Sequence, residues 1–362
     1  MKTSNYFCIV LAALMLASCY QPDVVMHTII HDDFRCCTRE VSYSNVMSQE
    51  QRDSLWGKGQ MEWSRPLPEC LNIYAFCKSH TEIGDSDTVT TTFEQTFKSV
   101  GEMCEQTPLQ LNGTRLRSKA TLDKRFRWFY TEYTYTETFY CVSDTFKLPA
   151  TDYADAEVVN YWFTGRPNLL EGLSGAEASQ VLSEMEPKIT KWLNDNLFRT
   201  CFDFIVSHYD SIAQPPVSRE RFVALQDSLA HFLMNGRDDI TDVDASKEFR
   251  DFFHSDAYAI FFDDSTQCGQ GLNAEFTNRL NIFWFNVPYA LTMPGTVIDA
   301  GDGTLQPDGS IVYHFTGERL IPHDYVVTAK SRQTNLWAYI LSLLIILLAV
   351  GCFVIKRRKV SV

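Results

Sequence analysis

The chain lacks the short motifs that mark most catalytic chemistries. It has no Gly-x-Ser-x-Gly elbow, no His-Glu-x-x-His pair and no Gly-x-x-x-x-Gly-Lys-Ser/Thr loop. Nothing in it therefore points to an elbow-type serine hydrolase, a zincin or a P-loop nucleotide hydrolase. Cys-x-x-Cys is also missing, which argues against a thioredoxin-like redox pair and a zinc knuckle. The 11 Cys in 362 residues are too sparse for a small disulfide scaffold. Positive charge is in deficit, with 32 Lys+Arg against 45 Asp+Glu and a net charge of −13. A chain of that sign repels phosphate, so no nucleic-acid partner is expected. There is no internal repeat and no low-complexity segment.

What is present is enough apolar material for a large core. Hydrophobic residues make up 45% and aromatic residues 13%, which excludes a disordered chain. The length allows two domains or one large one.

The two ends carry the strongest signals. Met1-Lys2-Thr3-Ser4-Asn5 precedes an apolar run over 6–16 and then Ala17-Ser18-Cys19. One positive charge, a short apolar run and small residues before a cut are the parts of a secretory signal peptide, 1–18. Leu16-Ala17-Ser18-Cys19 resembles the lipobox of bacterial lipoproteins. The resemblance implies lipidation at Cys19, whose thiol would take the lipid as a thioether after cleavage. At the other end, 336–355 contains no charged residue and Lys356-Arg357-Arg358-Lys359 follows at once. Twenty apolar residues rise about 30 Å as a helix, the thickness of a hydrocarbon core. The pattern predicts a transmembrane helix, with Trp337 and Tyr339 at one interface and a cytoplasmic tail at 356–362. The expected location is the cytoplasmic (inner) membrane, with the ectodomain in the periplasm. On that topology 27 basic and 45 acidic residues lie outside the cytoplasm, a balance of −18. Such a surface is expected to stand off anionic headgroups.

Cys8 falls in the signal and Cys352 in the apolar run. Eight cysteines remain: Cys36, Cys37, Cys70, Cys77, Cys104, Cys141, Cys201 and Cys268. An even number in an oxidising compartment makes them candidate disulfide cysteines, with free buried thiols as the alternative.

Along the ectodomain the pattern changes twice. Segments near 20–30, 38–48 and 71–78 read as strands, 79–92 as a polar loop and 93–103 as helical. The run 125–142 is rich in aromatics and Thr and reads as one strand covered on both faces. Ser174 with Glu177 forms a capping box that opens a helix, which Pro187 is expected to kink or split. Ser218 caps a further helix ending at Asn235-Gly236. Arg279 onward reads as extended again, followed by turns at Pro294-Gly295 and Asp308-Gly309. The predicted fold class is α+β. A β-rich part at 19–150 and a juxtamembrane β-rich part at 258–335 flank a helical part at 151–257, with the helix 336–355 at the end.

Two acidic groups have the composition of calcium sites: Asp238, Asp239, Asp242 and Asp244, and Asp299, Asp302 and Asp308. The first lacks the Gly and distal Glu of an EF-hand, and capping or turn chemistry accounts for both. His27 and His31 stand four apart but on an extended tether, so they make a poor ligand pair. No metal site, catalytic residue or cofactor is expected.

Met293-Pro294-Gly295-Thr296-Val297, Asp308-Gly309-Ser310-Ile311-Val312-Tyr313 and Asp324-Tyr325-Val326-Val327-Thr328-Ala329 lead into the apolar C-terminal run. Together with 125–137 and the helical middle, they resemble uncharacterised Bacteroidetes-like membrane-anchored lipoproteins. That resemblance implies no activity and no catalytic residues. The expected function is a non-enzymatic binding or scaffold ectodomain. Its expected partners are membrane lipid and a membrane protein reached through 336–355. The alternative is an extracytoplasmic hydrolase of envelope glycan or peptide.

Overall fold

The computed structural model describes residues 23–31, 36–50, 68–73, 76, 78–83, 88–142, 145–237, 240 and 243–360, with side chains described as far as 352. Two sheets pack face to face, and a helical unit sits beside them. The N-terminal β-rich part supplies β1 (Asp23–Ile30), β2 (Cys37–Val46), β3 (Lys78–Ile83) and β4 (Thr88–Phe97). A short helix α1 (Val100–Glu105) and a small hairpin, β5 (Gln110–Leu111) with β6 (Thr114–Arg115), follow. Then come β7 (Ser118–Phe126) and β8 (Tyr130–Phe139).

The helical middle comprises α2 (Ala156–Thr164), α3 (Gly175–Ser207), α4 (Arg219–Ala224), α5 (Gln226–Met234), α6 (Ala245–Phe253) and α7 (Gln267–Trp284). The C-terminal part adds β9 (Tyr289–Thr292), β10 (Thr296–Asp299), β11 (Thr304–Leu305), β12 (Ile311–Tyr313) and β13 (Tyr325–Thr334). It ends in α8 (Leu336–Val360). The protein is α+β, with β-rich segments on either side of a helical middle.

The two β-rich parts are not separate layers. The seven-stranded sheet runs β11-β12-β9-β1-β2-β4-β3, and the four-stranded sheet runs β10-β13-β8-β7. β9 lies parallel to β1, and β13 pairs along its whole length with β8. Strands from both chain ends therefore share both sheets. Alternation sets the inner faces. Met26, Ile30, Val41, Phe93, Tyr289 and Tyr313 from the larger sheet meet Tyr135, Phe139, Val327 and Ala329 from the smaller one in a single core. α1 sends Met103 and Cys104 into it.

The helical unit has its own core around Phe202, Ile205, Phe222, Leu229, Phe249, Tyr258 and Phe261. A third cluster, with Trp192, Phe146, Phe163 and Ile282 at its centre, joins it to the sheets. The capping box of Ser174 and Glu177 is present, and Ser218 accepts from the Arg221 amide.

Several local expectations are corrected. Most of the run 79–92 is strand, not loop: 79–83 lie on β3 and 88–92 open β4, where Thr91 points into the core and Thr88, Thr90 and Thr92 do not. Phe93 and Phe97, read as helical, lie on β4 (a spacing of four also keeps two side chains on one face of a strand). Residues 125–142 are not one strand but the end of β7, a tight turn and β8. Pro187 does not split α3, which stays continuous across it. That half of the helix is mostly exposed, so water can take the carbonyl that proline leaves unpaired. Residues up to 284 that read as extended belong to α7, capped by Thr266 on the Gly269 amide.

The transmembrane helix is also corrected. Among the described residues no helix is long and apolar enough to cross a membrane. The first turns of α8 are moreover held by protein.

Candidate functional site: an aromatic collar at the hairpin tip

The collar starts from a turn with no turn residues. Arg127, Trp128, Phe129 and Tyr130 connect β7 to β8, and the Arg127 amide donates to the Tyr130 carbonyl at 2.8 Å. Such a tight reversal ordinarily uses Gly, Asn or Asp. Here it is held from outside by Asn335, between β13 and α8. The Asn335 side-chain amide donates to the carbonyls of Arg127 (2.8 Å) and Trp128 (3.3 Å). Its side-chain oxygen accepts from the Thr131 hydroxyl at 3.1 Å. Its backbone amide donates to the Phe129 carbonyl at 2.9 Å.

The aromatic rings then clasp the base of α8. Trp337 stacks on Phe126 with centroids 6.2 Å apart and meets Trp128 edge-on at 5.5 Å. Tyr339 packs on Phe129 at 4.7 Å. The Trp128 indole N–H donates to the Ser342 hydroxyl at 2.8 Å. All five rings remain about half exposed, and beyond them α8 shows apolar side chains to solvent on every side, from Ile340 to Leu348 and Val350. An exposed apolar surface of this continuity marks an interaction site.

Charge is unevenly distributed around the collar. Over 115–127 six cations, Arg115, Arg117, Lys119, Lys124, Arg125 and Arg127, face a single acid, Asp123. Arg332 on the adjacent β13 lies over the Tyr130 ring at 4.1 Å and bonds Glu132 at 2.9 Å. The acidic excess of the chain therefore lies elsewhere.

A second polar cluster lies inside the sandwich. Arg39 on β2 and Glu137 on β8 are both fully buried and bridge the two sheets. Arg39 Nη2 donates to Glu137 Oε2 at 2.6 Å and Nη1 to Oε1 at 3.2 Å. Glu137 also accepts from the hydroxyls of Tyr135, Tyr289 and Ser118, each at 2.8 Å. Arg39 further donates to Thr28 Oγ1 through Nε and Nη2. Burial alone would raise the Glu137 carboxyl, but the Arg39 charge, the Arg39 hydrogen bonds and the hydroxyls of Tyr135 and Tyr289 hold it below the ordinary carboxylate value. Tyr135 and Tyr289, desolvated beside that carboxylate, are pushed well above a normal phenol. With no exposure, these groups join sheets and do not meet a substrate.

The cysteines are packing groups. Cys37, Cys104 and Cys201 are buried, and Cys36, Cys70, Cys141 and Cys268 are half-buried. None of Cys37, Cys70, Cys104, Cys141, Cys201 or Cys268 is joined in a disulfide in the structure. Burial raises the Cys37 and Cys70 thiols to about 11 and those of Cys104 and Cys201 to about 12, so they stay protonated at neutral pH. Cys19 and Cys77 lie outside the described residues.

The acidic groups separate. Asp244 caps α6 on the Lys247 amide, while Asp238, Asp239 and Asp242 lie outside the described residues. Asp299 bonds Lys330 and the Gly301 amide, Asp302 pairs with Arg166, and Asp308 accepts from Ser310. His27 bonds Thr292 and faces Glu40 at 3.5 Å, whereas His31 bonds Thr38. Among the described residues no group of three or more His, Cys, Asp or Glu side chains could hold a metal ion.

Reading the sequence as one strand over 125–142 hides the collar, because it places Trp128 and Phe129 inside a sheet. The available signal was the mixing of Arg127 with aromatics where neither face can be purely apolar. No protein-family model, curated protein or solved structure matches the chain.

Proposed function

We propose that this chain is a non-enzymatic, membrane-associated binding or scaffold protein of the bacterial envelope. In this reading Cys19 carries a lipid, the body lies on the extracytoplasmic side, and the collar with α8 meets the lipid surface. The observation that carries the reading is the collar itself. Five half-exposed aromatic rings surround the base of a helix whose apolar side chains face solvent on every side. Trp and Tyr favour the level of lipid headgroups, where one end of the ring is wet and the other is not. The resemblance of Leu16-Ala17-Ser18-Cys19 to a lipobox supports the same location.

The test has two arms. Cells expressing the protein are grown with radioactive palmitate, and label is expected on the wild type and absent from Cys19→Ala. The purified chain is floated with lipid vesicles. Co-flotation that falls on the double substitution Trp128→Ser/Phe129→Ser supports the reading. Absence of flotation with any vesicle defeats it.

A further inference from the structure

The basic residues beside the collar extend the membrane reading to a choice of lipid. Lys124, Arg125 and Arg127 are exposed at the end of β7 and in the turn, next to the exposed rings of Phe126, Trp128 and Phe129. No carboxylate among the described residues lies within ion-pair distance of these three cations, whereas their neighbours are neutralised, Arg332 by Glu132 and Lys330 by Asp299. Lys124 lies 5.7 Å over the Tyr133 ring, which orients it without cancelling its charge. A protein of net charge −13 thus carries positive charge without an ion-pair partner on a rim that also presents exposed aromatic rings. Uncompensated cations in a narrow belt around exposed apolar rings complement a surface that is apolar inside and anionic at its edge.

We infer that the turn joining β7 and β8 is a binding surface for anionic phospholipid headgroups in a bilayer, with Lys124, Arg125 and Arg127 contacting phosphate while Phe126, Trp128 and Phe129 enter the headgroup layer. This inference rests on the membrane-associated reading above. It replaces the expectation that the whole acidic ectodomain stands off anionic lipid, because electrostatics beyond about 10 Å are screened at ordinary salt and the local rim dominates. Arginine suits the role because its planar fork holds a phosphate through two bonds.

The experiment measures partition of the full chain onto vesicles of pure phosphatidylcholine and onto vesicles containing phosphatidylglycerol. The readouts are flotation and the shift of tryptophan emission. Anionic vesicles are expected to bind more tightly, with the gain fading between about 0.1 M and 1 M salt as the screening length contracts. The variant Lys124→Gln/Arg125→Gln/Arg127→Gln is expected to lose about fivefold in affinity for anionic vesicles per cation removed, while its binding to phosphatidylcholine and its melting temperature stay unchanged. Inorganic phosphate, matched with chloride for ionic strength, is expected to leave binding unaltered. Displacement by inorganic phosphate would mean recognition of an isolated anion and would overturn the bilayer assignment. Binding that is indifferent to phosphatidylglycerol, or a variant that keeps the anionic preference, would overturn the inference while leaving membrane association intact. Absence of binding to both vesicle types would overturn the membrane reading itself.

Discussion

Removing Arg39 should destabilise the protein severely, and it should do so in a way that depends on pH. Arg39→Met keeps much of the side-chain volume but strips both charged bonds from Glu137. The carboxylate then stays fully buried with only neutral donors, the hydroxyls of Tyr135, Tyr289 and Ser118 and the thiol of Cys104. Leaving one member of a buried pair behind costs about 3–5 kcal/mol, a large part of the roughly 5–15 kcal/mol that holds a typical fold together. The double substitution Arg39→Met/Glu137→Met should cost less than Arg39→Met alone, because no charge is left inside. The hydroxyls of Tyr135, Tyr289 and Thr28 can then bond one another, since they already lie 3.1 and 2.8 Å apart.

The sign with pH follows from linkage. In the wild type the Glu137 carboxyl is depressed, so its stabilising contribution is present above the ordinary carboxylate value near 4.5 and is lost as pH falls through the lower folded value. In Arg39→Met burial loses its main opponent, the Arg39 charge, and with only neutral donors left the carboxyl is raised. The variant then keeps its stability at low pH and loses it as pH rises through the raised value. The gap between the two proteins should therefore be widest at neutral pH and narrow on acidification. Urea unfolding followed by tryptophan fluorescence at pH 7 and pH 5 measures it. A gap under about 1 kcal/mol at pH 7, the size of an exposed pair, or a gap that widens at pH 5, would refute the reasoning.

Further outcomes follow from other parts of the fold. Asn335→Ala should cost about 0.5–1.5 kcal/mol by removing the donor to the exposed Arg127 and Trp128 carbonyls. Hydrogen exchange should rise over 127–131 but not in the helical unit. Trp192→Ala should cost about 3–5 kcal/mol in thermal or urea unfolding, because the indole fills the seam between helices and sheets and donates to the Leu148 carbonyl. Cys37, Cys70, Cys104 and Cys201 should resist alkylation at pH 8 in the native protein and react fully in denaturant without reductant. Mass spectrometry showing them protected even when unfolded would establish disulfides instead. Gly295→Ala should destabilise, since φ is +79° and a Cβ there would stand 2.5 Å from the Arg332 carbonyl oxygen; a raised melting temperature would contradict that.

The parts legible in the sequence are those whose cause is local. The Ser174–Glu177 box, the Ser218 cap and the glycine turns each follow from a few neighbouring residues, and the structure has them. The illegible parts are set by distant residues. The turn at 127–129 has no turn chemistry of its own, and Asn335, some 200 residues on, makes it. β4 reads as loop and helix because its outward Thr residues carry no alternating contrast and its Phe residues fit either period. α7 reads as extended from aromatics near its end, while its cap, Thr266, lies more than ten residues back. The ion pair is likewise invisible, because Arg39 and Glu137 sit among ordinary polar strand residues and 98 residues separate them.

β8 connects the two polar features of the fold. Its Tyr130 end forms the collar, and Glu137, seven residues on, reaches the ion pair about 23 Å away. The buried pair fixes how the smaller sheet lies on the larger one. It therefore also fixes where the exposed rings and cations point relative to the body. The two features should nevertheless separate in experiment. Substitutions at the pair act on binding only through the fold, so vesicle affinity should fall in step with the folded fraction and be restored in Arg39→Met/Glu137→Met. Substitutions of the three cations act at a surface that is already exposed, so affinity should fall with the melting temperature unmoved, whereas substitutions of Trp128 or Phe129 also remove contacts to Trp337, Tyr339 and Ser342 and should lower both. If Arg39→Met weakened vesicle binding under conditions where circular dichroism and fluorescence showed it fully folded, the strand would be transmitting a change of geometry from the core to the rim. The separation of the two features would then have to be abandoned.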